Sequence, residues 1–312
     1  MQTEPLFTWP DDIHAVDAGY VRPGLAAVHL IVEKGRVAVV DTAHNAALPR
    51  FLGALDQLGL APEAVDHVFL THVHLDHAGG AGAYMARLPN AKLVVHPRGA
   101  RHMIDPVRLF EGASEVYGVE IARRLYGAPV PVPPERVLEA ADGQVFDLAG
   151  RALQCLHTPG HAKHHMCLWD ARARACFTGD AFGIAYREMG VSGEPFLIPA
   201  TTPTQFDPEA MKASIHRLLA LKPEAMYLTH FSRVDDVERL GADLLRRIDV
   251  FVALAEAAPG EGKARKNTIH ASIERYLLAE APAESREWLR PVLRVDMELD
   301  AQGLAHWLEQ RQ

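Results

Sequence analysis

The stretch THVHLDHAGG, residues 71–80, constrains this chain more than any other part of it. Four ionisable side chains fall within six residues, directly after a short apolar run that is typical of a buried strand. They are His72, His74, Asp76 and His77. In an extended backbone, residues i and i+2 point to the same side, so His72 and His74 can hold one cation as a pair. Asp76 and His77 come where the chain turns and are directed to a neighbouring position.

The residue types in this stretch favour a transition metal. Imidazole and carboxylate together suit Zn²⁺, Fe or Mn²⁺, whereas Ca²⁺ prefers oxygen ligands alone. The spacing also differs from HExxH, whose two histidines need a helix to share one face. The alternative to a metal site is a chance cluster of ionisable residues at a strand end, or a solvated histidine-rich loop. Gly79 and Gly80 let the backbone tighten before the next helix.

Strands and helices alternate through the first two thirds of the chain, which favours an α/β layered fold. We predict strands over 25–33, 36–40, 67–71, 92–96, 144–148, 152–157, 166–170, 175–178 and 225–229, and helices over 46–58, 81–88, 106–126 and 208–221. Residues 183–204 are expected to form a long loop. After residue 234 the pattern is helical, over roughly 234–257, 267–280 and 284–310. We therefore predict an α/β body, 1–232, and a helical extension, 233–312; one domain with helices packed on its face is the alternative.

Composition excludes several classes of protein. The 312 residues carry a net charge of −8, which argues against a nucleic-acid partner. The three cysteines are an odd number without a CxxC motif, so no disulfide framework is expected. No run approaches the roughly 18 apolar residues of a membrane span, and no signal peptide is apparent in the first thirty residues. We expect a cytoplasmic protein with a small-molecule substrate, and we leave a homodimer open.

Further metal ligands must come from elsewhere, because four residues cannot complete two metal sites. Three candidates follow predicted strands, where loops can converge on one edge of a sheet. They are His161 in HTPGH, Asp180 in FTGD and His230 in LTH. Each could singly be an ordinary loop residue, but chance is a poor explanation for all three beside the first cluster.

The set THVHLDH, TPGH, FTGD and LTH resembles the metallo-β-lactamase fold hydrolases, glyoxalase II-like branch, over roughly residues 13–232. The resemblance implies an αββα sandwich of two mixed β-sheets with outer helices, here followed by the C-terminal helical extension. It also implies two divalent metal ions, Zn²⁺ first and Fe or Mn as alternatives. By the family's motifs, one ion is held by His72, His74 and His161, the other by Asp76, His77 and His230, and Asp180 bridges them. Asp41, which ends the run RVAVVD, matches an acidic residue that supports this edge.

The activity implied by this resemblance is hydrolysis of an ester, thioester or lactone carbonyl by a hydroxide that bridges the two metal ions. Asp76 could accept a proton, and Tyr186 could donate to a developing oxyanion. The alternative assignments are a mononuclear iron-dependent thiol or persulfide oxygenase and a non-catalytic metal-binding interaction protein.

Departures from the known branches narrow the assignment. Class B β-lactamases tend to have cysteine or histidine where this chain has Asp180, and flavodiiron proteins replace the histidine at the position of His74. The glutathione-binding motif of glyoxalase II is absent after His230, and the GCGR-type motif of persulfide dioxygenases is absent after Asp180. The chain is most similar to an uncharacterised group with TPGHAxHH and an FDPE helix start.

Overall fold

The structure, a computed structural model, describes residues 5–186, 189, 195–201, 204–283 and 286–311. The described strands, in chain order, are β1 Leu6–Trp9, β2 Ile13–Asp17, β3 Ala27–Glu33, β4 Arg36–Val40, β5 Val65–Phe69, β6 Lys92–Val95, β7 Val137–Glu139, β8 Val145–Leu148, β9 Arg151–His157, β10 Met166–Asp170, β11 Ala175–Gly179, β12 Ile184–Tyr186, β13 Phe196–Ile198, β14 Ala225–Leu228 and β15 Ser232–Val234. The helices are α1 Leu48–Gln57, α2 Leu75–Ala78, α3 Ala81–Arg87, α4 Pro97–Ile104, α5 Val107–Tyr117, α6 Val119–Tyr126, α7 Pro208–Ala220, α8 Val237–Glu256, α9 Gly262–Glu280 and α10 Arg286–Glu309.

The described chain divides into two compact units. The first comprises residues up to 157 together with 164–179 and 224–233. The second comprises 158–163, 180–223 and the part of the chain from 234 onward. The division into 1–232 and 233–312 remains a prediction about domains.

The first unit contains two mixed β-sheets. One has seven strands in the order β1-β2-β3-β4-β5-β6-β7, antiparallel up to β4 and parallel from β4 to β7. The other has six strands in the order β15-β14-β11-β10-β9-β8, in which β11 and β14 run parallel. The two mixed sheets with flanking helices confirm the predicted sandwich architecture.

Strand β4 explains how the layers are joined, because its side chains alternate between two cores. Val37 and Val39 pack into the core that the seven-stranded sheet forms with the helices of the first unit. Ala38 and Val40 pack into the core between the two sheets. A strand that is buried on both faces needs apolar side chains at successive positions, and the run VAVV of β4 has them.

Several elements differ from the sequence prediction. The helix expected over 106–126 is two helices, α5 and α6, separated at Gly118, whose φ of 84° a helix cannot accommodate. The segment predicted as a loop over 183–204 contains the short strands β12 and β13 in its described part. Strands β1, β2, β7 and β15 were not predicted, and of these β7 and β15 have only three residues each. None of the helices in the described ranges is long and apolar enough to cross a bilayer.

His29 on β3 is a buried histidine whose pKa burial lowers to about 4. Its Nε2 lies 2.8 Å from the hydroxyl of Ser232, and its ring meets Phe177 and Tyr227 edge-on. Because its folded pKa lies below the ordinary value near 6.5, the folded state disfavours the protonated ring. The stability that neutral His29 contributes is therefore complete above pH 6.5 and is lost as the pH falls towards 4.

We expect the metal-free protein to lose about 2 kcal/mol of unfolding free energy through His29 between about pH 7.5 and pH 5. The measurement is urea unfolding at both pH values for the wild type and for His29→Phe, which keeps a ring but cannot titrate. The variant should show the smaller loss. Equal losses in the two proteins would show that His29 is not the titrating group.

Candidate metal centre

The histidine-rich loop begins directly after β5 and ends in the single helical turn α2. His74 precedes this turn in an extended conformation, with φ −63° and ψ 148°. Nε2 of His72 and Nδ1 of His74 lie 2.9 Å apart, so the two side chains meet as the i, i+2 spacing predicts. The turn then buries His77 completely and leaves the Asp76 side chain 24% exposed. One short segment thus presents donor atoms in two directions.

The carboxylate of Asp41, at the end of β4, organises this loop. It is fully buried and accepts hydrogen bonds from the backbone N–H of Thr71 at 2.8 Å and from the hydroxyl of Thr229 at 2.7 Å. The Thr71 hydroxyl also donates to it, at 2.9 and 3.0 Å from the two oxygens. Nδ1 of His77 donates to Asp41 Oδ2 at 2.8 Å. The supporting role expected for Asp41 therefore has a direct geometric basis in the first unit.

Asp41 fixes the tautomers of two histidines. Since the Thr71 hydrogen is directed to Asp41, the Thr71 oxygen is left to accept from Nδ1 of His72, 3.1 Å away. His77 donates from Nδ1 to Asp41 directly. In the neutral imidazole only one nitrogen carries hydrogen, so both rings present an electron pair at Nε2. This arrangement is usual for histidines that bind metal ions.

His230, which is separated from the end of β14 by Thr229, has the same tautomer for a different reason. Its Nδ1 lies 2.8 Å from the carbonyl oxygen of Leu25, which can only accept, so Nδ1 must carry the hydrogen. The Nε2 atoms of His77 and His230 are 3.3 Å apart, and Asp76 Oδ2 lies 3.4 Å from Nε2 of His230. Donor atoms of these three residues all lie within 4.8 Å of one another. Two facing electron pairs beside a carboxylate repel, and a cation between them removes the repulsion, so these residues fit a metal ion.

The second unit holds another pair of predicted ligands. Nε2 of His161 lies 3.4 Å from Asp180 Oδ2, and both side chains are buried. Nδ1 of His161 donates to the carbonyl oxygen of Ala200 at 2.9 Å, which again leaves the electron pair at Nε2. The electron pair of the His161 ring and the negative charge of Asp180 repel each other, and a cation between them would remove that repulsion. Tyr186, in the same unit, is the last residue of β12 and is buried.

The structure thus brings Asp76, His77 and His230 together in one unit and His161 and Asp180 together in the other. His72 and His74 form a pair in the first unit. That all seven residues form one centre remains a prediction.

Three further histidines, His157, His164 and His165, lie within four residues of His161 in the sequence. The ring of His165 is fully buried and stacks on His72, with centroids 5.0 Å apart, so it supports a candidate ligand. His164 lies near His74, at 5.6 Å between the ring centroids. His157, expected to be a strand residue, ends β9 and bonds the carbonyl oxygen of Ala140 at 2.9 Å. We therefore place His165 and His164 near the site and leave His157 out of it.

Sequence reasoning missed the two threonines that bond Asp41. Thr71 and Thr229 each precede a candidate ligand within the same tripeptide, Leu-Thr-His, at the end of a strand. This repetition was the signal that could have identified them. The carbonyl of Leu25 could not be found in this way, because any residue supplies a carbonyl.

Comparison with known proteins agrees with this geometry. The sequence model of the metallo-beta-lactamase superfamily matches residues 21–230. The chain belongs to the metallo-beta-lactamase superfamily. Membership implies divalent metal binding, which the histidine and aspartate groups fit. The glyoxalase II-like branch remains a prediction.

Individual relatives within the superfamily are distant. The chain is 28% identical to the metallo-beta-lactamase fold-containing protein ST1585 of Sulfurisphaera tokodaii over 222 residues, which cover 70% of this chain and 77% of the relative. It is 29% identical to the acyl-coenzyme A thioesterase MBLAC2 of Gallus gallus over 168 residues, 50% of this chain and 57% of the relative. The solved structure of TTHA1429, a metallo-beta-lactamase family protein of Thermus thermophilus, has a TM-score of 0.67 at 22% identity and covers 96% of this chain and 94% of its own. This last likeness speaks for the fold.

We expect Asp41→Asn to weaken metal binding by about 10- to 100-fold, because an amide in this position can no longer accept from all its present donors and would release the His77 ring. The measurement is competition for Zn²⁺ with a chromophoric chelator. Asp56→Asn, at an exposed position on α1, is the matched control and should bind as the wild type does. Unchanged affinity in Asp41→Asn would contradict the supporting role of Asp41.

Proposed function

We propose that this protein is a metal-dependent hydrolase that uses two divalent ions to hydrolyse the acyl C–S bond of a thioester, giving a carboxylic acid and a thiol, within the wider class of ester, thioester and lactone substrates. The observation that carries the proposal is the pair of facing Nε2 atoms of His77 and His230, 3.3 Å apart beside Asp76. Each ring is held through Nδ1 by an acceptor, which keeps the Nε2 electron pair for a cation.

The proposed ligands are divided between two ions, most simply Zn²⁺ because imidazole and carboxylate suit it. One ion would be held by His72, His74 and His161 and the other by Asp76, His77 and His230, and Asp180 would be a ligand of both. In support, the hydrogen bonds at Nδ1 make Nε2 the electron-pair donor in four of these rings, those of His72, His77, His161 and His230.

Bound divalent ions would supply the chemistry that lowers the pKa of water towards about 7 and polarises a carbonyl oxygen. The protein's own residues keep the proton at Nδ1 of these histidines, where it cannot compete with a metal ion at Nε2. Asp76, whose side chain is partly exposed, has the position and the charge to accept the proton that water loses on attack. The Tyr186 hydroxyl is proposed to stabilise the developing oxyanion.

A water nucleophile is favoured because the cysteines offer no alternative. All three cysteines are buried. Burial raises the pKa of Cys155 to about 12 and that of Cys176 well above its ordinary value, so neither forms a thiolate near neutral pH. A covalent acyl-cysteine intermediate is therefore not part of the proposal.

The choice of thioesters among carbonyl substrates comes from the relatives. One is named an acyl-coenzyme A thioesterase, and another, 31% identical over 117 residues, an atrochrysone carboxyl ACP thioesterase of Pseudocercospora fijiensis. The second match covers 37% of this chain and 25% of the relative. These matches support a thioester as the first substrate to test.

We expect protein purified without chelator to contain between one and two equivalents of transition metal and to hydrolyse acyl thioesters. Activity should disappear with chelator and return with Zn²⁺, Mn²⁺ or Fe²⁺. The measurement combines metal analysis with a panel of thioesters, lactones, aryl esters and phosphodiesters. Less than one equivalent of metal would contradict the proposal. Oxygen uptake with thiol substrates, without hydrolysis, would indicate the iron-dependent oxygenase instead.

We expect Asp180→Ala to lose at least one metal ion and nearly all turnover, because a bridging carboxylate serves both ions. Metal content and kcat are measured on the same preparation. Asp249→Ala, at an exposed aspartate on α8, is the control and should retain both. Full metal content and full hydrolysis in Asp180→Ala would remove the bridging assignment.

A further inference from the structure

Asp300 is an acidic side chain buried inside the C-terminal helix bundle of the second unit. It lies on α10 and is 4% exposed. Its Oδ1 accepts from the backbone N–H and from the hydroxyl of Thr201, each at 2.9 Å. The same hydroxyl lies 3.0 Å from the carbonyl oxygen of Asp300. Helix α10 therefore binds one residue, Thr201, through both its backbone and its side chain.

The residue before Thr201 is Ala200, whose carbonyl oxygen accepts from Nδ1 of His161 at 2.9 Å. The peptide that carries this carbonyl joins Ala200 to Thr201, and its N–H is the group that donates to Asp300. Because a peptide unit is planar and rigid, the hydrogen bond to Asp300 fixes the direction of the carbonyl that holds His161.

The backbone of the His161 loop is held by separate contacts. A Cβ on Gly160, whose φ is 133°, would lie 2.3 Å from backbone atoms of Met211, so the loop sits tightly against α7. Ser214 donates to the carbonyl oxygen of Pro159 at 2.6 Å. Since these contacts hold the loop, the bond to Ala200 is left to set the rotation and tautomer of the His161 ring.

We propose that Asp300 is a positioning residue for His161, acting through the Thr201 N–H and the Ala200 carbonyl, so that the C-terminal helix controls how strongly one metal ion is held. The inference rests on the proposed function in one respect, that His161 is a metal ligand. It gives the helical tail a defined task at the site in addition to its own packing.

The substitutions that separate this role from general packing follow from the chemistry of Asp300. Burial raises the pKa of Asp300 well above its ordinary value, whereas the hydrogen bonds from Thr201 act in the opposite direction. Both hydrogen bonds from Thr201 go to Oδ1, and an amide has the shape of a carboxyl group and an oxygen that can accept in the same position. Asp300→Asn should therefore keep the hydrogen bonds from Thr201, whereas Asp300→Ala removes them.

We expect Asp300→Ala to weaken the binding of one metal ion by about 10-fold and Asp300→Asn to restore it to within about 2-fold of the wild type. Affinity is measured by chelator competition with Zn²⁺, and ligand geometry by the visible absorption of the Co²⁺-loaded protein. Thr201→Val removes the hydroxyl but keeps the N–H and should give a smaller loss. It also serves as the second variant should Asp300→Ala fail to fold. Met297→Ala, at another buried position on α10, controls for loss of packing and should leave affinity unchanged.

Unchanged binding of both ions in Asp300→Ala, or an equal loss in Met297→Ala, would overturn the inference. His161→Ala, measured in parallel, separates this failure from that of the proposed function. If His161→Ala loses an ion while Asp300→Ala binds normally, only the positioning role fails. If His161→Ala binds both ions as the wild type does, the ligand assignment fails, and the inference falls with it.

Discussion

The hydrogen bonds to the carboxylate of Asp41 are the interaction on which the candidate metal ligands of the first unit depend. The carboxylate is wholly buried, so its charge is tolerable only because Thr71, Thr229 and His77 all donate to it. Thr71 and Thr229 follow the ends of two different strands, β5 and β14, and His77 lies in the helical turn α2. A buried carboxylate that loses one of these partners becomes costly, so the strand ends must stay together for the fold to remain stable. The fold's stability and the orientation of the ligand rings are thus linked through one side chain.

A second consequence of the same network is chemical. Histidines that must bind a cation need their electron pair at a defined nitrogen. In this protein that choice is made by Asp41 for His77, by Thr71 for His72 and by a main-chain carbonyl for His230. Placing several electron pairs and carboxylates close together costs free energy without a cation, and that cost is recovered when an ion binds. Metal binding is therefore expected to stabilise the folded protein.

The second unit uses the same principle with different partners. His161 is oriented by Ala200, and Ala200 is followed by Thr201, which Asp300 on the last helix holds in place. The match to the superfamily covers residues 21–230, so α10, from which the proposed link to His161 starts, lies beyond it. Under that proposal, substitutions in α10 can change metal affinity while the residues matched to the superfamily stay the same.

The sequence motifs predicted the candidate metal ligands and the general architecture of the fold. Local sequence showed the histidine cluster, and the pairing of His72 with His74 followed from strand geometry, because both depend only on near neighbours. The alternation of strand and helix patterns favoured a layered α/β fold, and the resemblance to the metallo-β-lactamase fold implied its two mixed sheets. The break at Gly118 was not recognised, since the apolar spacing continues on both sides of it. The strands β7, β12, β13 and β15 have three residues each, which is too few for a periodic signal.

The partner that each polar group meets became known only from the packed chain. The sequence contains Asp41, Thr229 and Asp300, but nothing near them in the chain indicates their hydrogen-bond partners. Asp41 accepts a hydrogen bond from Thr229, 188 residues away, and Asp300 accepts one from Thr201. Main-chain carbonyls such as those of Leu25 and Ala200 have no sequence signature at all. The sequence alone therefore indicated which residues are candidate metal ligands, because residue type decides that. The orientation of those side chains depends on long-range hydrogen bonds, which form only when the layers pack.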